Sequence, residues 1–168
     1  MPVESSDMQN NRTDGHVFVF PARTPVVEGM RIFYLFSVRQ VAEVLNCVSV
    51  HPVPFAPHFA EGVTQWRGRV LPVLSLEHFL GISVSGEQGH LRSIVVRSIA
   101  KNSADMLHEV HIVFKVGAAI RQIDLPMTCE PVSAPDWVTG VIYLSGVYKL
   151  ERHLYLVINM EAVLNARN

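Results

Sequence analysis

Apolar positions in this chain come in short runs that mostly alternate with polar ones, and they rarely keep the three-to-four-residue step of a helix. His16-Val17-Phe18-Val19-Phe20 is aromatic and β-branched and predicts a strand, broken at Pro21 and Pro25 by a loop reaching Gly29; 31–38 predicts the next strand. Over 39–45 the period changes. Val41, Val44 and Leu45 fall at i, i+3 and i+4, which predicts a brief helix with Glu43 beside its apolar stripe. Strand character returns over 48–53, and Pro52, Pro54 and Pro57 stiffen a loop ahead of Gly62. From 62 to 80 the pattern predicts strand, tight turn, strand and one helical turn. Gly68 supplies the turn, and Pro72 marks an edge position or a bulge. The Gly- and Ser-rich stretch 81–89 predicts a crossover between lobes or a flexible joint. Strands follow at 91–100 and 110–116 around a polar loop at 101–109, with a less regular third at 118–125, and Pro126, Pro131 and Pro135 lead to the closing block. Residues 1–15 are polar and aperiodic and read as a disordered lead, and 165–168 as a tail. The fold class is therefore all-β with short helical turns, of the β-barrel type.

The closing block repeats the order of 62–80. Gly62 and Gly68 are separated by the same six positions as Gly140 and Gly146, and 155–164 mirrors 71–80. On that alignment the four glycines are equivalent turn residues, and 148–153 forms a longer hairpin loop in the second copy. Two copies of one unit predict two similar lobes.

Composition narrows the function. A chain of 168 residues holds one domain or two small lobes and no third. Its formal net charge of −1 gives no electrostatic footprint for nucleic acid or an anionic membrane surface. Arginine dominates the cations, with lysine only at positions 101, 115 and 149, which suits desolvated protein contacts and equally follows from genomic base composition. Cys47 and Cys129 lack metal-type spacing and read as buried thiols of a cytosolic protein; no apolar run reaches the roughly 18 residues needed to span a bilayer.

Eight histidines invite a metal or catalytic reading. His108 and His111 lack the four-residue step that puts two imidazoles on one helical face, and on a strand they point to opposite faces. His51, His58 and Glu61 belong to or follow a proline-rich loop and read as solvated residues. Neither cysteine neighbours a base, and the nucleophile-elbow, phosphate-loop and dinucleotide motifs are absent, so no catalytic, cofactor or metal residue is assigned. Surface chemistry remains: Gln65, Trp66 and Arg67 form a turn tip combining an aromatic ring with a guanidinium, a pairing enriched at binding hot spots.

Gly62-Val63-Thr64-Gln65-Trp66-Arg67-Gly68-Arg69-Val70-Leu71-Pro72-Val73-Leu74-Ser75-Leu76 resembles the signature block of the chemotaxis coupling proteins, the CheW-like family. Residues 34–45 with Pro52-Val53-Pro54-Phe55-Ala56-Pro57, and 137–140 with 157–164, resemble two further blocks of that family, so the likeness runs over 16–164. The resemblance implies two small five-stranded SH3-like barrels side by side. It also implies a cytoplasmic, non-catalytic adaptor without cofactor, coupling a methyl-accepting chemoreceptor tip to the regulatory domain of a histidine autokinase. Arg67 matches the family's receptor-contacting arginine, with Val41, Glu43 and Val44 on a second receptor-contacting segment. Trp66, Gln65 and Ser75 depart from the usual Leu, Asn and Asp. Three alternatives stand beside this reading: a coupling protein for pilus-driven or gliding motility, a small metal-dependent enzyme using His51, His58, His108 or His111, and a module binding a small ligand between the lobes.

Overall fold

A computed structural model describes residues 15–84, 89–124 and 128–166. In chain order the strands are β1 (His16–Val27), β2 (Met30–Ser37), β3 (Val41–Leu45), β4 (Ala60–Trp66) and β5 (Arg69–Leu74), followed by helix α1 (Leu76–Leu80). Then come β6 (Leu91–Lys101), β7 (Leu107–Gly117), β8 (Arg121–Asp124), β9 (Glu130–Pro131), a 3-10 turn (Val141–Tyr143), β10 (Leu144–Leu150), β11 (His153–Ile158) and α2 (Met160–Leu164). They form two barrel-like sheets. One has six strands in the order β8-β1-β2-β11-β10-β9, the sixth being the two-residue β9, and the other has five in the order β3-β6-β7-β5-β4.

Each sheet joins a hairpin from one half of the chain to a hairpin from the other. β11 runs parallel to β2, and β5 parallel to β7. The first half, β1 to α1, therefore gives its opening hairpin to the six-stranded lobe and its remaining strands to the five-stranded one; the second half does the reverse. The chain changes lobe at 38–40 and at 118–120. The segment 81–89, expected as the crossover, joins α1 to β6, and the strands on either side of it, β5 and β6, lie in the same sheet; its residues 85–88 lie outside those described.

The duplication is real, in a register different from the one the glycines suggest. β4, β5 and α1 map onto β10, β11 and α2 with a constant spacing of 84, from Gly62 to Gly146, Leu74 to Ile158 and Ser75 to Asn159. Gly62 and Gly146 each follow a β-bulge, while Gly68 alone of the four glycines sits in a hairpin turn. Residues 148–153 are the end of β10, a two-residue turn and the start of β11, not a long loop. Gly140 precedes the 3-10 turn and is packed against α1, where a Cβ would lie 1.7 Å from the Phe79 carbonyl oxygen. The Thr139 and Gly140 amides donate to the Leu80 carbonyl, 3.1 and 3.4 Å away.

Three other expectations change. β1 continues through Pro21 and Pro25 as far as Val27, with its pairing to β2 shifting between Pro21 and Val26, which is how a strand tolerates residues that cannot donate. Residues 48–53 form no strand; only His51 bridges to Val63. Segment 41–45 is a strand, not a helix. A bulge between Val41 and Glu43 places Val41 opposite Val96 and Val44 opposite Ile94, so two apolar residues three apart share a face and imitate a helical period.

Both faces of the central strands are buried. In β2, Ile32, Tyr34 and Phe36 point into a core shared by the two sheets, and Phe33 and Leu35 into the six-stranded barrel. In β6, Ile94 and Val96 point to the shared core and Val95 into the five-stranded barrel. Burial on two sides explains why 32–36 reads as continuous apolar sequence. The expected tail begins inside the fold, since Ala166 packs on the shared core; 167–168 and 1–14 lie outside the described residues. Cys47 is exposed and Cys129 half-buried, because Cys47 follows the end of β3 where the chain leaves the sheet.

Charged groups cross the lobe boundary. Glu77 in α1 is wholly buried, accepting from the Arg23 amide at 2.9 Å, the Tyr34 hydroxyl at 3.0 Å and the Ser75 hydroxyl at 3.3 Å. Burial first, then the adjacent Glu77 carboxylate, holds the Tyr34 hydroxyl well above its ordinary pKa, so it stays a donor. Glu61 on β4 is paired with Arg23 from β1 and with Lys115 from β7, 2.7 Å away. Burial raises the Glu61 pKa, but the bonds from Lys115 and Arg23 outweigh it and bring it below the usual value.

Tyr34→Phe leaves a buried carboxylate oxygen short of one donor and is expected to cost about 1–3 kcal/mol in denaturant unfolding. For Glu61 the folded pKa lies below the unfolded one, so its stabilisation is present above the ordinary glutamate pKa of about 4.3 and disappears as pH falls through the folded value. Stability measured across that acid range should fall more steeply in the native protein than in Glu61→Gln.

Candidate protein-binding site

The β4–β5 turn needs positive φ at both central residues, and Arg67 and Gly68 adopt 48° and 75°. Glycine takes this conformation freely. Arginine does not, and the left-handed region costs a residue with a Cβ about 1–2 kcal/mol. The turn projects the Arg67 guanidinium outward, its side chain 68% exposed, and Arg67 Nη2 donates to Glu43 Oε2 at 2.9 Å.

Glu43 arrives from β3, at the other edge of the same sheet. The bulge that turns Val41 and Val44 toward the shared-core face aims Glu43 and Leu45, opposite Val95 and Ser93, at the barrel. Trp66 closes the mouth of this barrel. Its ring packs on the cluster of Leu71, Val73, Val95 and Val113, its Nε1 donates to Glu43 Oε2 at 2.9 Å, and Arg67 lies over it at 5.0 Å from the centroid. The His111 ring from β7 tilts against Trp66 with centroids 5.1 Å apart.

Of the six residues singled out in the sequence, the structure brings Glu43, Trp66 and Arg67 into one cluster. Gln65 is exposed opposite Val70 on the outer face of the hairpin. Val41 packs on the shared core, and Val44 lies at that face's rim, 37% exposed. The segment 41–45 therefore presents two faces where one was expected. His111, weighed in the sequence only as a metal ligand or catalytic residue, instead packs on Trp66, an approach that follows from the pairing of distant strands and leaves no local signal.

A groove of about 480 Å³ opens beside the cluster. β5 and β7 pair only at Val73 with Val113 and Leu74 with Phe114; ahead of that they separate, and Val70, Pro72, Val110 and Ile112 line the gap with Val163 and Leu164 of α2. The groove thus draws its walls from the five-stranded sheet and the C-terminal helix. Among the described residues there is no group of three or more His, Cys, Asp and Glu side chains that would hold a metal ion. His108 and His111 alternate along β7, and Glu61 is engaged by Arg23 and Lys115.

Fold and site together define a duplicated, two-lobed β-barrel domain whose distinctive chemistry lies at its surface. The CheW-like domain family matches residues 26–168, and the chain belongs to that family. It is 39% identical over 61 residues to Chemotaxis protein CheW of Thermotoga maritima, an alignment spanning 36% of this chain and 39% of that protein. The crystal structure of scaffolding protein TtCheW from Thermoanaerobacter tengcongensis superposes with a TM-score of 0.68 at 20% identity, covering 97% of this chain and 96% of that one. At that identity the likeness shows the fold.

Replacing Arg67 with glycine relieves the left-handed penalty of about 1–2 kcal/mol, offset by the roughly 0.5–1 kcal/mol of extra chain entropy that glycine loses on folding. Arg67→Gly should therefore keep its unfolding free energy within about 1 kcal/mol of the native value, read by urea titration. A loss above 2 kcal/mol would show that the ion pair with Glu43 supports the fold.

Proposed function

We propose that this chain is a non-catalytic adaptor holding a methyl-accepting chemoreceptor tip and the regulatory domain of a histidine autokinase in one chemotaxis-type array, on the cytoplasmic side of the membrane. The observation that carries the proposal is an exposed arginine, bonded to Glu43 and laid over Trp66, at a hairpin turn of a CheW-like domain. Arg67, Trp66 and Glu43 supply a guanidinium, a ring and a carboxylate at one spot, and the groove between β5, β7 and α2 supplies an adjacent apolar surface. A helical partner with an apolar stripe flanked by carboxylates fits that combination.

Coupling of this kind requires that the adaptor's contacts differ between two receptor states, and it requires no bond making by the adaptor. Among the described residues no helix is long and apolar enough to cross a membrane, so attachment to a receptor array would come through partners.

Arg67→Glu reverses the charge at the centre of the cluster and is expected to cost about 2–5 kcal/mol of receptor affinity. Co-sedimentation with receptor-containing membranes should be lost while circular dichroism and thermal unfolding keep the native profile. A folded Arg67→Glu protein that still co-sediments would remove this arginine from the interface.

A further inference from the structure

On the far side of α1 from the shared core, two histidines distant in sequence face one another. His58 ends the proline-rich loop before β4, and His78 lies in α1; their ring centroids are 6.1 Å apart with planes at 82°. Both rings are on exposed residues at the rim of a cleft of about 500 Å³, whose other walls are Thr139, Gly140 and Tyr143. Below them runs an aromatic ladder, Phe59 on Phe79 at 4.5 Å and Phe79 against Tyr143 at 4.8 Å.

We propose that His58 and His78 form a two-imidazole site for a divalent late transition-metal ion, with water completing the shell. Metal–nitrogen bonds of about 2.0–2.1 Å place the centroids of two rings on one tetrahedral ion roughly 5 Å apart, so about one ångström of closure by exposed side chains is enough. The backbones that carry the rings are fixed. Ala60 N–H donates to the Pro57 carbonyl at 2.9 Å, bracketing His58, and α1 is capped at its start by the Ser75 hydroxyl and at its end by Gly81 in the left-handed conformation. Neutral imidazole nitrogen selects zinc, copper or nickel over magnesium or calcium, and no carboxylate lines the cleft to favour the harder ions. A bound ion would tie the proline-rich loop to α1, across the cleft wall that the second half of the chain supplies at 139–143.

The test is calorimetric titration of zinc chloride into the full chain at pH 7.5, alongside His58→Gln, His78→Gln and a control, His153→Gln. The site predicts one equivalent of zinc in the native protein and in the control, lost in both cleft variants, together with a zinc-dependent rise in Tm that the cleft variants lack. Retention of that equivalent in either cleft variant would overturn the assignment. So would the absence of any saturable zinc binding to the native chain. Circular dichroism shows whether each variant is folded, and copper(II) electron paramagnetic resonance of the native protein gives a second readout, two coupled ring nitrogens if the site is correct and one or none if it is not.

Discussion

The fold depends on an apolar layer that neither lobe owns. Among the described residues 22 buried apolar side chains, from Phe20 and Tyr34 to Met160 and Val163, form one cluster between the two sheets, against four inside each barrel. Four buried side chains contribute at most about 6–12 kcal/mol. That cannot offset an ordering cost of about 1–2 kcal/mol for every residue fixed. The barrels are thus by-products of a sheet-on-sheet packing, and the strands that line them, β1, β2, β5, β6, β7 and β11, are those with buried residues on both faces.

Polar groups set the angle at which the sheets meet. Glu77 is enclosed by donors from β1, β2 and its own helix N-cap, and Glu61 is held between cations from opposite lobes. Buried ion pairs are weak sources of net stability, because desolvation opposes the Coulomb gain, but they penalise any arrangement that leaves one partner unpaired. An apolar interface alone would allow the sheets to slide. Three directed bonds, two from Arg23 and one from Tyr34, do not.

Much of this was legible in the chain, and where it was not the reason is physical. The hairpin from 62 to 74 and its helical turn were plain, since alternation, a turn glycine and a capping serine agree there. The resemblance carried by that block pointed to the family that the whole-domain match shows. The duplication was visible, but its register was hidden because glycines at 62 and 146 serve bulges while the turns at 67–68 and 151–152 share neither residues nor full conformation, φ being positive at both residues of the first and at Glu151 alone in the second. The bulge in β3 made a strand look helical and so merged two faces of 41–45 into one. Interleaving left no trace at all. Which hairpin a strand joins is decided by packing between residues over a hundred positions apart, such as Ile32 and Leu154, and no local pattern encodes that choice.

Interleaving also settles what kind of mechanical element the domain is. Because each half of the chain threads through both sheets, two connections at 38–40 and 118–120 cross the boundary and a common interior fills it, so no single swivel point separates the lobes. A displacement imposed on the Arg67 turn would reach the opposite sheet as translation and rotation of the whole body, the way a bracket moves with the wall it is bolted to. Stiffness, set by how the chain was doubled and woven, is then the property through which such a domain would carry a message.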